Sequence, residues 1–194
     1  MTQHRSEETR ARILDAAVRR FALAGYDAAS VDDICSDAGV SKGAFYHHYP
    51  TKQAIFLALM QGWLKTIDRG LDASREKSVP ETLVAMTNLL PGVFAAAEDR
   101  LPTFLEFWLQ ASRDETIWNA IIAPYHHYQE HFAKLVRDGI REGSLKPVEA
   151  SIAAQVIVSL AVGLLLQGVL DPGGADWEKT ARESMRILLE GLAK

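Results

Sequence analysis

SVDDICSDAGVSKGAFYHHYPTK, residues 30–52, is the stretch that decides the architecture. Ser30 stands three residues before Asp33, the spacing of a capping box, so a helix opens there and runs through Ala38. Gly39 ends it, and Ser41 caps a second short helix that reaches about His48. Pro50 breaks the chain, and Thr51 caps a longer helix that continues past Trp63. Two short helices joined by a tight turn at Gly39-Val40 make a helix-turn-helix pattern. The second helix begins with small residues, Gly43 and Ala44, so its backbone can approach the floor of a major groove. Tyr46 and His47 offer hydrogen bonds at the reach of phosphates or base edges. Ser30, Ser41 and Thr51 place helix N-termini, which attract phosphate, and Lys52 adds a positive charge to the start of the next helix. Spacing alone leaves a plain helical hairpin within a bundle as the alternative.

Working outward, helical periodicity dominates in both directions. Ser6 is expected to cap a first helix with an apolar stripe at Ile13, Leu14, Ala17 and Phe21, stopped at Gly25. Further helices are expected near 80–97, 102–112, 115–142, 148–170 and 175–192. Pro80, Pro102, Pro147 and the turn Asp171-Pro172-Gly173-Gly174 mark the breaks. No alternating strand pattern appears, so the fold class is all-α. The boundary falls near residue 50, where short capped helices give way to long ones: a helix-turn-helix part at 1–50 and a larger part at 51–194.

Composition narrows the class. The 194 residues are 48% apolar and 24% charged, which is ordinary for a globular chain. One cysteine, Cys35, permits no internal disulfide and fits a reducing, cytoplasmic setting. The polar N-terminus shows no leader peptide. The run Ile152–Leu170 comes nearest to a membrane span, but Gln155, Ser159 and Gln167 interrupt it, and a buried helix in a protein outside the membrane is expected. Net charge is -4. Residues 1–52 carry seven Lys/Arg and seven Asp/Glu and are neutral. That is no bulk basic footprint, so DNA binding must rest on a few placed groups.

The residues Phe21-Ala-Leu-Ala-Gly25-Tyr26, then Ser30-Val-Asp-Asp-Ile34, then Ala38 through Lys52 together resemble the signature of the TetR/AcrR family. The likeness covers residues 10–60 closely, and beyond them only the helix layout is similar. It implies a three-helix helix-turn-helix domain followed by a six-helix ligand-binding and dimerisation domain. It also implies a regulator, foremost a repressor, that binds double-stranded operator DNA as a homodimer and is released by a small effector. The recognition helix would be 41–48, with Lys42, Gly43, Ala44, Tyr46 and His47 facing DNA. Ser30 would cap the supporting helix near a phosphate, and Lys52 would meet the DNA backbone. Ala44 stands where many members carry threonine, which leaves only an apolar contact there. Arg5 and Arg10 are placed in an arm that reaches DNA.

The C-terminal part reads as pocket or plain core. On the helix near 115–142, Trp118, Ile121, Ile122, Tyr125, Gln129, Phe132, Val136 and Ile140 share one face, and His127, Lys134 and Asp138 lie opposite with His131 nearby. Gln129 sits in the apolar face and needs a polar partner. Gln155, Ser159, Gly163 and Gln167 form a polar and small stripe on the next helix, either a close helix contact or a pocket wall. Phe104, Phe107 and Trp108, with Trp63 on the fourth helix, complete an apolar and aromatic set with few polar anchors. The expected effector is therefore apolar or amphipathic. His127 and His131 have a spacing that metals use, but they read as solvated, and no metal or cofactor is expected. The two last helices are apolar enough to pack inside the subunit and across a two-fold axis as well.

Two other classes compete. Asp32-Asp33 with Asp37 superficially resembles an aspartate-rich catalytic motif, but the spacing is one residue too long and no second motif exists. No nucleophile elbow, phosphate loop or triad is present, so no catalysis is expected. The remaining alternative is a helical protein-interaction module without DNA binding.

Overall fold

The computed structural model describes residues 2–89, 92 and 108–192, and it is all-α. The elements are α1 (Thr2–Ala28), α2 (Val31–Ala38), α3 (Lys42–His48), α4 (Lys52–Ala73), α5 (Val79–Met86), α6 (Glu115–Glu142), α7 (Ala150–Leu170) and α8 (Trp177–Leu192). Helical residues 108–111 precede α6. A helix is present at each expected place where residues are described, but the one expected near 80–97 ends as α-helix at Met86, and a 3-10 turn, Thr87–Leu89, follows it. Contacts divide the chain into two compact units, residues 1–65 with 97–120, and residues 66–96 with 121–194. This division does not fall at 50/51. Ile55, Phe56 and Met60 of α4 are buried, and Phe56 stacks edge-on to Phe21 at 5.5 Å, so the first turns of α4 complete the core of the N-terminal helices.

In the first unit α1 buries Ile13, Ala17 and Phe21, as its stripe predicts. Ser6 lies inside α1 and caps nothing; the helix begins at Thr2, because no residue between Thr2 and Ser6 interrupts it. Gly25 breaks α1 as expected, with φ 78° and ψ 164°. Ser30 accepts from the Asp33 amide and opens α2. Gly39 ends α2 in the left-handed region, at φ 61°, with its N–H returned to the carbonyls of Cys35 and Ser36. The guanidinium of Arg12 donates to the Ala38 and Gly39 carbonyls, which satisfies acceptors that the end of a helix leaves open. Arg20 adds a two-pronged pair with Asp37, tying α1 to α2. That pair holds the Asp37 carboxyl below its usual value.

The second unit packs α5, the later turns of α6, α7 and α8 around Leu83, Val136, Leu145, Ala154 and Ile157. Ser78 and Glu81 form a full capping box at the start of α5. Gly139 permits close packing: a Cβ there would lie 2.7 Å from Leu145 Cδ1. Helix α7 buries one side only, at Ala153, Ala154, Ile157, Val158 and Leu164. Its other side leaves Ile152, Val156, Val162, Leu166 and Leu170 exposed. Residues 150–168 are long and apolar enough to cross a membrane, yet only 22% of that window is buried within the chain. The helix expected to be buried is thus covered along one side only by the rest of the chain.

The turn at Gly39 supplies a stability test. A side chain there meets both a disfavoured φ and the Arg12 guanidinium, 2.8 Å from a Cβ. Gly39→Ala should cost about 1–2 kcal/mol, read as a lower urea midpoint with an unchanged slope.

Candidate nucleic-acid interface

Helix α3 is built to present one face outward. Ser41 accepts from the Ala44 amide at 3.2 Å and caps it. Phe45 is fully buried and anchors the helix, and Tyr49 beyond its end is buried too. Lys42, Gly43, Tyr46 and His47, spaced i, i+1, i+4 and i+5, are exposed together. Tyr46 keeps about half its surface open at 51% while its ring leans edge-on against Phe45 at 5.4 Å. Ala44 is half-buried beside them. Five of the residues expected to face DNA therefore lie on or beside one short surface.

Gly43 is informative because nothing inside the chain asks for it. A Cβ would meet only Ser41 Oγ, at an ordinary 3.8 Å. Glycine in a helix costs about 1 kcal/mol against alanine. The fold accepts that cost without a packing reason of its own, which fits close approach of an outside surface to the α3 backbone.

The other expected contacts are occupied. Ser30 Oγ serves the α2 cap and donates to Asp33 Oδ2 at 2.6 Å, and this bond holds the Asp33 carboxyl below its usual value. Lys42 Nζ pairs with Asp32 Oδ1 at 2.7 Å. Lys52 Nζ donates to the carbonyls of Tyr26, Asp27 and Ala29 at 2.7, 3.1 and 3.1 Å, and lies 4.4 Å from the Tyr26 ring centroid. All three ammonium protons are spent on the end of α1, so Lys52 holds the fold together at the α1–α4 corner. A phosphate contact by Lys52 would have to displace one of these bonds. Arg10 donates to the Tyr49 hydroxyl at 3.0 Å, and it sits in α1, not in a separate arm. Arg5 is exposed on the same helix.

The residues expected to bind a ligand are spread more widely. Phe104 and Phe107 lie outside the described residues. Trp63 is half-buried, Trp108 is 43% exposed, and both belong to the first unit. In the second unit Tyr125 and Gln129 are half-buried, whereas Gln155, Ser159 and Gln167 are exposed. These last three accompany the open apolar side of α7, and the Gln167 amide turns back to the Gly163 carbonyl at 3.3 Å. Within the subunit they form an outer stripe.

Two groups escape the sequence pattern. Tyr128 donates to Asp68 Oδ1 at 3.0 Å, and burial together with that carboxylate pushes its phenol pKa well up. His131 is half-buried, and its Nε2 is enclosed without a hydrogen-bond partner, so the reading of it as solvated fails. The helical wheel placed it near the charged side, but the end of α4 and the turn after it lie near: Asp72 and Arg75 act on it electrostatically, as do His127 and Lys134 on its own helix. Burial first, then the neighbouring cations, lowers its pKa from 6.5, against the pull of Asp72. Among the described residues no group of three His, Cys, Asp or Glu side chains converges on a metal position.

Comparisons with known proteins agree with this layout. Residues 13–59 match the family profile described as bacterial regulatory proteins, tetR family. Residues 81–194 match that of the BetI-type transcriptional repressor, C-terminal. The regulator TtgR of Pseudomonas putida is 27% identical, over 96% of this chain and 95% of its own. The regulator UidR of Escherichia coli is 25% identical, over 98% and 95%. A TetR transcription regulator from Haloarcula marismortui superposes with a TM-score of 0.83 at 18% identity, covering 97% of this chain and 100% of that one. A transcriptional regulator from Saccharomonospora viridis, solved in complex with choline, superposes at 0.80 with 24% identity, covering 97% and 99%.

Two outcomes are expected. Gly43→Ala should raise the melting temperature by a few degrees, as about 1 kcal/mol of helix stability returns, while duplex affinity in fluorescence anisotropy falls at least tenfold. For His131, a folded-state pKa below the unfolded value means the unfolded chain binds the proton better. Stability should therefore fall as pH drops through about 6.5 and below. His131→Gln should flatten that loss in urea melts taken between about pH 7 and 5.

Proposed function

The chain belongs to the TetR family of bacterial transcriptional regulators, and we propose that it is a repressor that binds a palindromic operator as a homodimer and leaves it when a small effector binds. The exposed face of α3 carries this reading. Gly43, Tyr46 and His47 stand clear, with Lys42 held beside them by Asp32, on a capped helix whose opposite side is fixed by Phe45. A helix so held suits insertion into a major groove, with Tyr46 and His47 at base edges or phosphates. A protein that acts on bacterial DNA works in the cytoplasm.

The homodimer is supported by α7. Ile152, Val156, Val162, Leu166 and Leu170 are too many exposed apolar side chains on one helix face to leave in water, and Ser159 and Gly163 between them allow close approach. A second copy of α7 and α8 related by a two-fold axis covers such a face with itself. Gln155, Ser159 and Gln167 then belong to that contact instead of a ligand pocket. The two α3 helices would meet successive grooves about 34–36 Å apart.

For the effector, the support lies in Tyr125 and Gln129 of α6, half-buried and aromatic with one amide, which suits an apolar or amphipathic molecule. The choline bound by the Saccharomonospora viridis regulator makes quaternary ammonium compounds a sensible first set to test. An effector releases DNA only by binding the released arrangement better, and about 1.4 kcal/mol of such preference is worth tenfold in operator affinity.

Selection from random duplex DNA tests the reading. The purified protein should retain a palindrome with half-sites about one helical turn apart. Leu166→Glu should give a monomer in sedimentation and recover no palindrome. A folded, dimeric, ligand-stripped protein that retains no duplex would contradict repression by DNA binding and favour the interaction module.

A further inference from the structure

The outward face of α3 carries one lysine, and that lysine is already held. Lys42 Nζ lies 2.7 Å from Asp32 Oδ1 in the first turn of α2, with the two side chains 62% and 64% exposed. An ion pair so open to water contributes little to stability. Asp32 also complements the N-terminus of α2, a role it shares with Asp33. The α2 cap comes from Ser30 and Asp33, and α2 is joined to α1 through Arg20–Asp37 and through Arg12 on the Gly39 turn. Asp32 nevertheless sets an anion against Lys42, the neighbour of Gly43 on the α3 surface, where its charge opposes phosphate and neutralises the lysine. The placement works against bulk affinity in a segment whose net charge is already zero.

We propose that Asp32 is a specificity-determining residue. It holds the Lys42 ammonium so that loose, sequence-independent complexes gain no phosphate contact from it, and yields it only where α3 is fully seated. The proposal rests on the DNA-binding reading above. Sequence-independent association is driven by the release of counterions from neutralised phosphates, each adding about 0.9 to the slope of log affinity against log salt. A held Lys42 removes one such contact from the wrong complexes. In the seated complex the same lysine exchanges Asp32 for DNA.

The test titrates wild type, Asp32→Asn and Asp32→Asn/Lys42→Gln against a mixed-sequence duplex and against the palindrome recovered by selection, over a range of salt. Thermal melts first establish that each variant folds. Asp32→Asn should bind the mixed-sequence duplex about two- to fivefold more tightly, with a slope steeper by about 0.9. The palindrome should gain by a smaller factor, with its slope unchanged. Adding Lys42→Gln should return the mixed-sequence slope to that of wild type. An equal gain on both duplexes, a mixed-sequence gain and slope left undiminished by Lys42→Gln, or no change would overturn the proposal. Wild type that binds no duplex at low salt would overturn the DNA-binding reading instead, and this proposal with it.

Discussion

The left-handed turn at Gly39, with the Arg12 guanidinium on its carbonyls, is the constraint on which the DNA-facing surface depends. A chain leaving α2 in ordinary right-handed geometry would continue the helix. One residue at φ 61° redirects it, so that Ser41 can cap a new helix three residues later. Arg12 then fixes that turn to α1, and Phe45 drives the inner side of α3 into the same core. What remains outside is decided by subtraction. The i, i+1, i+4, i+5 positions around a buried Phe45 can only face outward.

Lys52 secures the neighbouring corner by a different means. Its ammonium gathers three carbonyls where α1 ends after the break at Gly25, and it lies over Tyr26, whose ring packs 4.5 Å from Phe56. The carbonyls need donors and the lysine needs acceptors, so one side chain joins the end of α1 to the start of α4. The first turns of α4 thereby belong to the core of the N-terminal helices, and the boundary between compact units moves into α4 itself. The basic residue that sequence places on DNA is thus first a structural cation.

Much of this was legible in the sequence, for reasons that are local. Capping serines, the glycine stop and Pro50 act within a few residues, so α2, α3 and the start of α4 could be placed from spacing alone. The α1 start was not legible, because Ser6 sits where a cap fits while Thr2 to Arg5 also continue a helix without penalty. The partners of long side chains were not legible either. Lys52 with Tyr26, Lys42 with Asp32 and Tyr128 with Asp68 join residues of different helical segments, and no periodicity reports them. The burial of His131 was missed because a wheel drawn for α6 alone contains no α4. The stripe of Gln155, Ser159 and Gln167 stood out in the sequence, but sequence could not tell an inner wall from an outer one.

Chemical-shift mapping of the isotope-labelled protein, with and without the duplex recovered by selection, tests the central claim most directly. The account predicts that the largest changes fall on the amides of residues 41–47 and on the side chains of Tyr46 and His47, with the core signals of Phe45 and Phe56 little altered. Changes confined to α7 and α8, with α3 unmoved, would contradict it.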